Sequence, residues 1–206
     1  MESFKLKFPD NSFLLTYKGS NFVNDELKFF MKKSDKFRKE AENVMSKIRA
    51  IARHIRNVED NCLILGEKLI YKGEIELGHQ LVANGFIHDA SKFKGIEWES
   101  IVPGQSSEHV SDKKLKLKLA ISNHNLTNAH HPEYWGGIHR MPRVCVAEMV
   151  CDWKSRSEEF GTSLRDWIND VATKRWDFTA DDKVYKEIVY FVDLLCEKPF
   201  EQITQG

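Results

Sequence analysis

An all-α fold, a helical bundle preceded by a short N-terminal β-hairpin, follows from three features of the 206-residue sequence. Apolar residues recur at three- and four-residue steps through most of the chain, which is the period of an amphipathic helix. One early stretch alternates instead, with a two-residue period. After about residue 20, hardly any segment reads as a strand.

The alternating stretch is 4–17, where Phe4, Leu6 and Phe8 precede Pro9-Asp10-Asn11, and Phe13 to Tyr17 follow. It reads as a hairpin appendage over residues 1–20, leaving 21–206 as one helical domain. From about Asn24 to Leu65 the residues Leu27, Phe30, Phe37, Ala41, Val44, Ile48, Ile51, Ile55 and Val58 mark a long amphipathic helix, with a break expected near Ser34-Asp35. Further helices are predicted at about 74–84, 111–123, 142–158, 162–173 and 180–197, with start signals such as Pro142, Thr162 and Thr179. The irregular stretches 85–92, 101–110 and 124–141 are rich in Gly, Pro, Asn and His, and function concentrates in such segments when a rigid scaffold holds them.

A chain of this length buries roughly 70% of its unfolded surface and folds without a staple. Lys+Arg and Asp+Glu are equal at 31 each, so there is no global field to attract nucleic acid, and phosphate affinity must come from local groups. Four scattered cysteines, Cys62, Cys145, Cys151 and Cys196, form no paired framework and point to a reducing cytoplasm. No signal-peptide core and no run of about 18 apolar residues appears, which argues against secretion and membrane spanning. Oligomeric state is left open.

The eight histidines are then the feature to explain. His88 and Asp89 are adjacent beside an apolar run. On a helix, neighbours diverge by about 100°, so both reach one point only if it lies off the helix flank. His54 sits on the long helix 34 positions earlier, and Asp152 sits far downstream between Val150 and Trp153. A carboxylate in that apolar company needs a partner: a metal, or Arg156 one turn on. His124 falls near a helix end. His130 and His131 follow it in a loop, because Pro132 disfavours helical geometry at His131. Either of that pair is open to a capping or packing role.

The series His54, His88-Asp89, Asp152 resembles the HD superfamily of metal-dependent phosphohydrolases, whose pattern is one His, then His-Asp, then a distal Asp. His88-Asp89-Ala90-Ser91-Lys92 and His130-His131-Pro132-Glu133 are similar to elements of HD-GYP phosphodiesterases. The likeness is closer to an uncharacterised bacterial and phage family of the same superfamily. That family shares an Ile-His-Asp-x-Ser-Lys-Phe element, a His-His-x-Glu-Tyr-Trp element and a Met-Pro-led helix with Glu-Met-x-x-Asp, together spanning about residues 85 to 155. The resemblance implies an HD-domain bundle with one metal on His54, His88, Asp89 and Asp152. It also implies a second metal on His124 with His130 or His131, Asp89 bridging.

Imidazole with carboxylate suits one or two divalent transition ions, Mn, Fe, Co, Ni or Zn, rather than Ca. Such a site fits hydrolysis of a nucleotide or related small phosphate ester. Asp89, Lys92 and Glu148 are the catalytic candidates, with Glu148 placed to orient a ligand or take a proton. Lys92, Arg53, Arg140 and Arg143 are the candidate substrate cations. Two other readings compete: an HD-fold di-iron oxygenase, and a non-catalytic protein that binds a nucleotide in the same pocket.

Overall fold

The computed structural model describes residues 22–102 and 113–196, so the hairpin expected at 4–17 lies outside the described residues. Among those described, every regular element is helical. They are α1 (Phe22–Tyr71), α2 (Ile75–Ile87), α3 (Gly95–Ile101), α4 (Lys113–Thr127), α5 (Arg143–Phe160), α6 (Leu164–Trp167), α7 (Thr173–Arg175) and α8 (Lys183–Cys196). Short 3₁₀ turns occupy Ala90–Phe93, Pro132–Trp135 and Ile138–Arg140, and a π turn at Ile168–Ala172 links α6 to α7. None of the described helices is long and apolar enough to cross a membrane.

The chain divides into two compact units, residues 1–46 and 47–206. In the first, the described residues belong to α1, which passes through Ser34-Asp35 without the expected break. Neither residue is a helix breaker, and Asp35 is 3.4 Å from Arg38, itself 3.8 Å from Glu42, at the spacings that support a helix face.

The second unit is built around α5. Cys145 to Cys151 are buried without interruption, as expected of a helix covered on all sides. Against it pack Val58, Cys62, Leu65 and Leu69 of α1, Leu81 of α2, and Ile188, Phe191 and Val192 of α8. Trp153 stacks on Trp176 at 5.3 Å and meets Trp167 edge-on at 4.9 Å, so these indoles close the core.

Helices α1 and α2 form a close antiparallel hairpin through a turn at Gly73, whose φ of 89° suits glycine. They touch through glycine. A Cβ on Gly66 would come 2.5 Å from Val82 Cγ2 and 2.9 Å from the Gly78 carbonyl, and one on Gly78 would come 2.5 Å from the Gly66 carbonyl. At about 1.5 Å per residue, His54 lies roughly 25 Å along α1 from the turn and His88 roughly 20 Å along α2. The hairpin thus returns His88 to the level of His54.

Candidate metal centre

Five segments supply the candidate ligands. His54 comes from α1 and Asp152 from α5, where neighbouring side chains are core residues. Helix α2 stops at Ile87; His88 is extended (φ −51°, ψ 133°) and Asp89 is left-handed (φ 56°, ψ 17°). That conformation costs a non-glycine residue on the order of 1 kcal/mol or more, and it swings the Asp89 carboxylate to the side His88 faces. The two are therefore not helix neighbours diverging by 100°, as the sequence reading assumed. His124 lies in the last turn of α4. His130 and His131 follow in the connection to the 3₁₀ turn at Pro132, where His131 is extended, as a pre-proline residue should be, and its side chain makes no cap.

The rings crowd together. Centroids are 4.2 Å apart for His88 and His130, 4.3 Å for His130 and His131, and 4.7 Å for His124 and His131. Asp89, 2% exposed, stands at the middle. Its Oδ2 is 3.7 Å from His54 Nε2 and 3.6 Å from His88 Nε2, while its Oδ1 is 3.2 Å from His124 Nε2 and 3.5 Å from His130 Nε2. Asp152 Oδ1 is 3.0 Å from His54 Nε2 and 4.0 Å from His88 Nε2. One Asp89 oxygen thus faces the His54, His88 and Asp152 group, and the other faces the His124 and His130 side.

Behind these atoms is an outer ring of carboxylates. His54 Nδ1 meets Glu159 Oε1 at 2.9 Å, His88 Nδ1 meets Glu148 Oε1 at 3.0 Å, and His124 Nδ1 meets Glu97 Oε2 at 2.8 Å. His130 Nδ1 is 3.3 Å from the same Glu148 oxygen. A carboxylate accepting at Nδ1 places the ring proton there and turns the Nε2 lone pair inward, which is how imidazole ligands are oriented.

Charge follows the geometry. Burial would raise the Asp89 carboxyl, but the adjacent His124 imidazole and the charges of His88, Lys92 and His130 overcome it and hold Asp89 well below the usual carboxylate range. Burial likewise opposes ionisation of Asp152, and the His54 imidazole overcomes it in the same direction. His131 is pushed down to about 3, first by burial and then by repulsion from His130 and His124, so its ring is neutral at neutral pH.

Six buried atoms here, the Nε2 of His54, His88, His130 and His131 with Asp89 Oδ1 and Asp152 Oδ1, make no hydrogen bond. Leaving a buried polar atom unpaired costs about 1–3 kcal/mol, and more for a charged group. A divalent ion is the partner that satisfies such a set together. Donors on a common ion with bonds of about 2.1 Å stand roughly 3.0–3.4 Å apart, and several of the separations above fall in or near that range. Ligand atoms also lie within 4.8 Å of one another in three overlapping sets: His54, His88, Asp89; His88, His130, Asp152; and His124, His130, His131. The residues fit a metal centre.

A family model described as "Family of unknown function (DUF5662)" matches residues 43–194. The chain belongs to this DUF5662 family. No curated protein and no solved structure matches it. Every residue of the cluster, from His54 to Glu159, lies inside the DUF5662 match.

Of the other residues the sequence singled out within the DUF5662 region, Lys92 is at the cluster, its Nζ paired with Asp89 Oδ2. Glu148 is buried with both oxygens engaged, Oε2 accepting from Asn84 Nδ2 at 3.0 Å, and its carboxyl is held down to about 2: burial opposes this, but His130 and His88 prevail. Its side chain is thus fixed between His88, His130 and Asn84. Arg143 is engaged by Glu74 and Glu187 and lies over the Tyr190 and Phe191 rings. Arg53 and Arg140 are exposed, Arg53 because it is one step round α1 from the inward-facing His54. The alternative partner for Asp152 is also excluded, since Arg156 binds Glu159 at 2.9 Å.

Two outer carboxylates escaped the sequence reading. Glu97 stands on α3, a helix too short to show a periodic signal. Glu159 had a legible signal: Glu148, Asp152, Ser155 and Glu159 fall at steps of four, three and four on one face of α5.

Proposed function

We propose that this chain is a metal-dependent phosphohydrolase of the HD type, acting on a nucleotide or a related small phosphate ester. The observation that carries the proposal is the cluster of six buried nitrogens and oxygens without a hydrogen bond, on His54, His88, Asp89, His130, His131 and Asp152, with the Nδ1 atoms of His54, His88, His124 and His130 against carboxylates. His54, His88, Asp89 and Asp152 would hold one ion. His124, His130 and His131 would hold a second, with Asp89 shared. Ions bound there would acidify a water towards neutral pH and offset charge on a phosphoryl oxygen.

The remaining roles belong to the chain. Ionised Asp89 and Asp152 supply negative charge that retains divalent cations, and neutral His131 offers a free lone pair. Glu97, Glu148 and Glu159 hold the rings in place. Lys92, paired with Asp89 and 18% exposed at its side chain, is the cation that would contact a substrate phosphate.

Release of phosphate from a nucleotide panel, with Mn, Co, Ni and Mg each supplied to the chelator-stripped protein, tests this reading. Expected is metal-dependent hydrolysis lost in Asp89→Ala. Tight metal binding with no phosphate released from any nucleotide would overturn hydrolysis. Iron and colour after aerobic purification would then favour a di-iron oxygenase, and nucleotide binding without turnover a binding protein.

A further inference from the structure

We infer that Glu148 is a shared positioning residue that ties the two halves of the metal centre together, whereas Glu97 and Glu159 each serve one half. This rests on the metal reading above and adds a division of labour among the outer carboxylates.

Each carboxylate is engaged differently. Glu159 touches only His54 among the candidate ligands, at 2.9 Å, and its other oxygen is taken by Arg156. Glu97 touches only His124, at 2.8 Å. Its other contacts are Asn123 Nδ2 at 3.0 Å and Ser91 Oγ at 3.2 Å, so it is fastened to α4 and to the 3₁₀ turn after Asp89. Glu148 differs in that a single oxygen, Oε1, faces His88 Nδ1 at 3.0 Å and His130 Nδ1 at 3.3 Å. His88 Nε2 lies on the Oδ2 side of Asp89 with His54, and His130 Nε2 on the Oδ1 side with His124, while His88 and His130 also meet in one set with Asp152. Asn84 holds the opposite oxygen, and the residue is 5% exposed, so the carboxylate has little freedom to follow one ring and leave the other. Displacing Glu148 therefore disturbs a ligand on each side, while displacing either neighbour disturbs one.

The test uses cobalt(II) as the probe, titrated into the chelator-stripped full chain and read by bound equivalents and by the visible spectrum. His54→Ala retains the His124 side, and His124→Ala retains the His54 side. Glu148→Gln should weaken the remaining cobalt about 10–100-fold in both backgrounds, the range for losing an outer partner of a ligand. Glu97→Gln should do so only in His54→Ala, and Glu159→Gln only in His124→Ala. Melting in chelator, unchanged across the set, excludes general unfolding. If Glu148→Gln melts early, Asn84→Ala, which loosens the same carboxylate from behind, should show the two-sided loss in smaller degree. A loss confined to one background for Glu148→Gln or Asn84→Ala, with two ions bound by wild type, overturns the sharing and leaves the metal reading standing. A wild type that binds one ion overturns the sharing, and one that binds none overturns the metal reading as well.

Discussion

At the scale of single residues, Asp89 carries the most. Among the described residues it is the carboxylate whose two oxygens face different imidazoles, and it is held in a left-handed conformation. Asp89→Ala should therefore lose bound metal from both sides, whereas His131→Ala should retain at least one ion. Elemental analysis of the purified variants checks this, and full occupancy in Asp89→Ala would remove the centre assigned here. Lys92 is a different case. A protonated amine cannot ligate a metal, and it competes with one for Asp89 Oδ2. Lys92→Ala should keep its metal and lose about 2 kcal/mol of transition-state contact with a substrate phosphate, about thirtyfold in kcat/KM. Wild-type turnover in that variant would make the lysine a solvated side chain.

Among elements, the α1–α2 hairpin decides whether His54 and His88 meet. Its glycines stand where a Cβ would press on backbone, so Gly78→Ala should separate the helices, cost about 1–3 kcal/mol and weaken metal binding together. Thermal melting with and without metal separates the two effects, and an unchanged melt would mean the helices adjust without loss. Arg143 gives the opposite pattern. Its bonds to Glu74 and Glu187 join the start of α2 to α8, so Arg143→Ala should lower stability by about 1 kcal/mol while metal content and turnover hold. A selective fall in kcat/KM would restore it as a substrate cation.

Within the unit 47–206, bound ions would link the part of α1 around His54, the end of α2, α4, the loop at His130 and α5. Binding that favours only the folded state stabilises it by about 2.7 kcal/mol at a metal concentration one hundred times the dissociation constant. For a chain of this size that is roughly 5–11 °C in Tm. Chelator should lower the melting temperature by such an amount and added Mn or Co should restore it; a Tm indifferent to both would mean the cluster takes no ion.

The sequence alone determined the helical character of the described residues, the long first helix, the positions of α2, α4, α5 and α8 to within a few residues, and the histidines and aspartates that gather at the cluster. These follow from local rules: periodic burial writes helices into the chain, and an imidazole or a carboxylate in apolar company needs a partner wherever it falls. Only the tertiary structure decided that α1 continues through Ser34-Asp35, that Asp89 leaves the helix to face two sets of rings, and that Arg143 pairs with two glutamates. It also decided the outer carboxylates: Glu97 reaches His124 from a helix of seven residues, and Glu148 reaches His130 only because a loop folds back over α5. Such contacts join residues far apart in the chain, and no spacing rule records them, because the distance between two side chains is set by how helices pack and not by the residues between them.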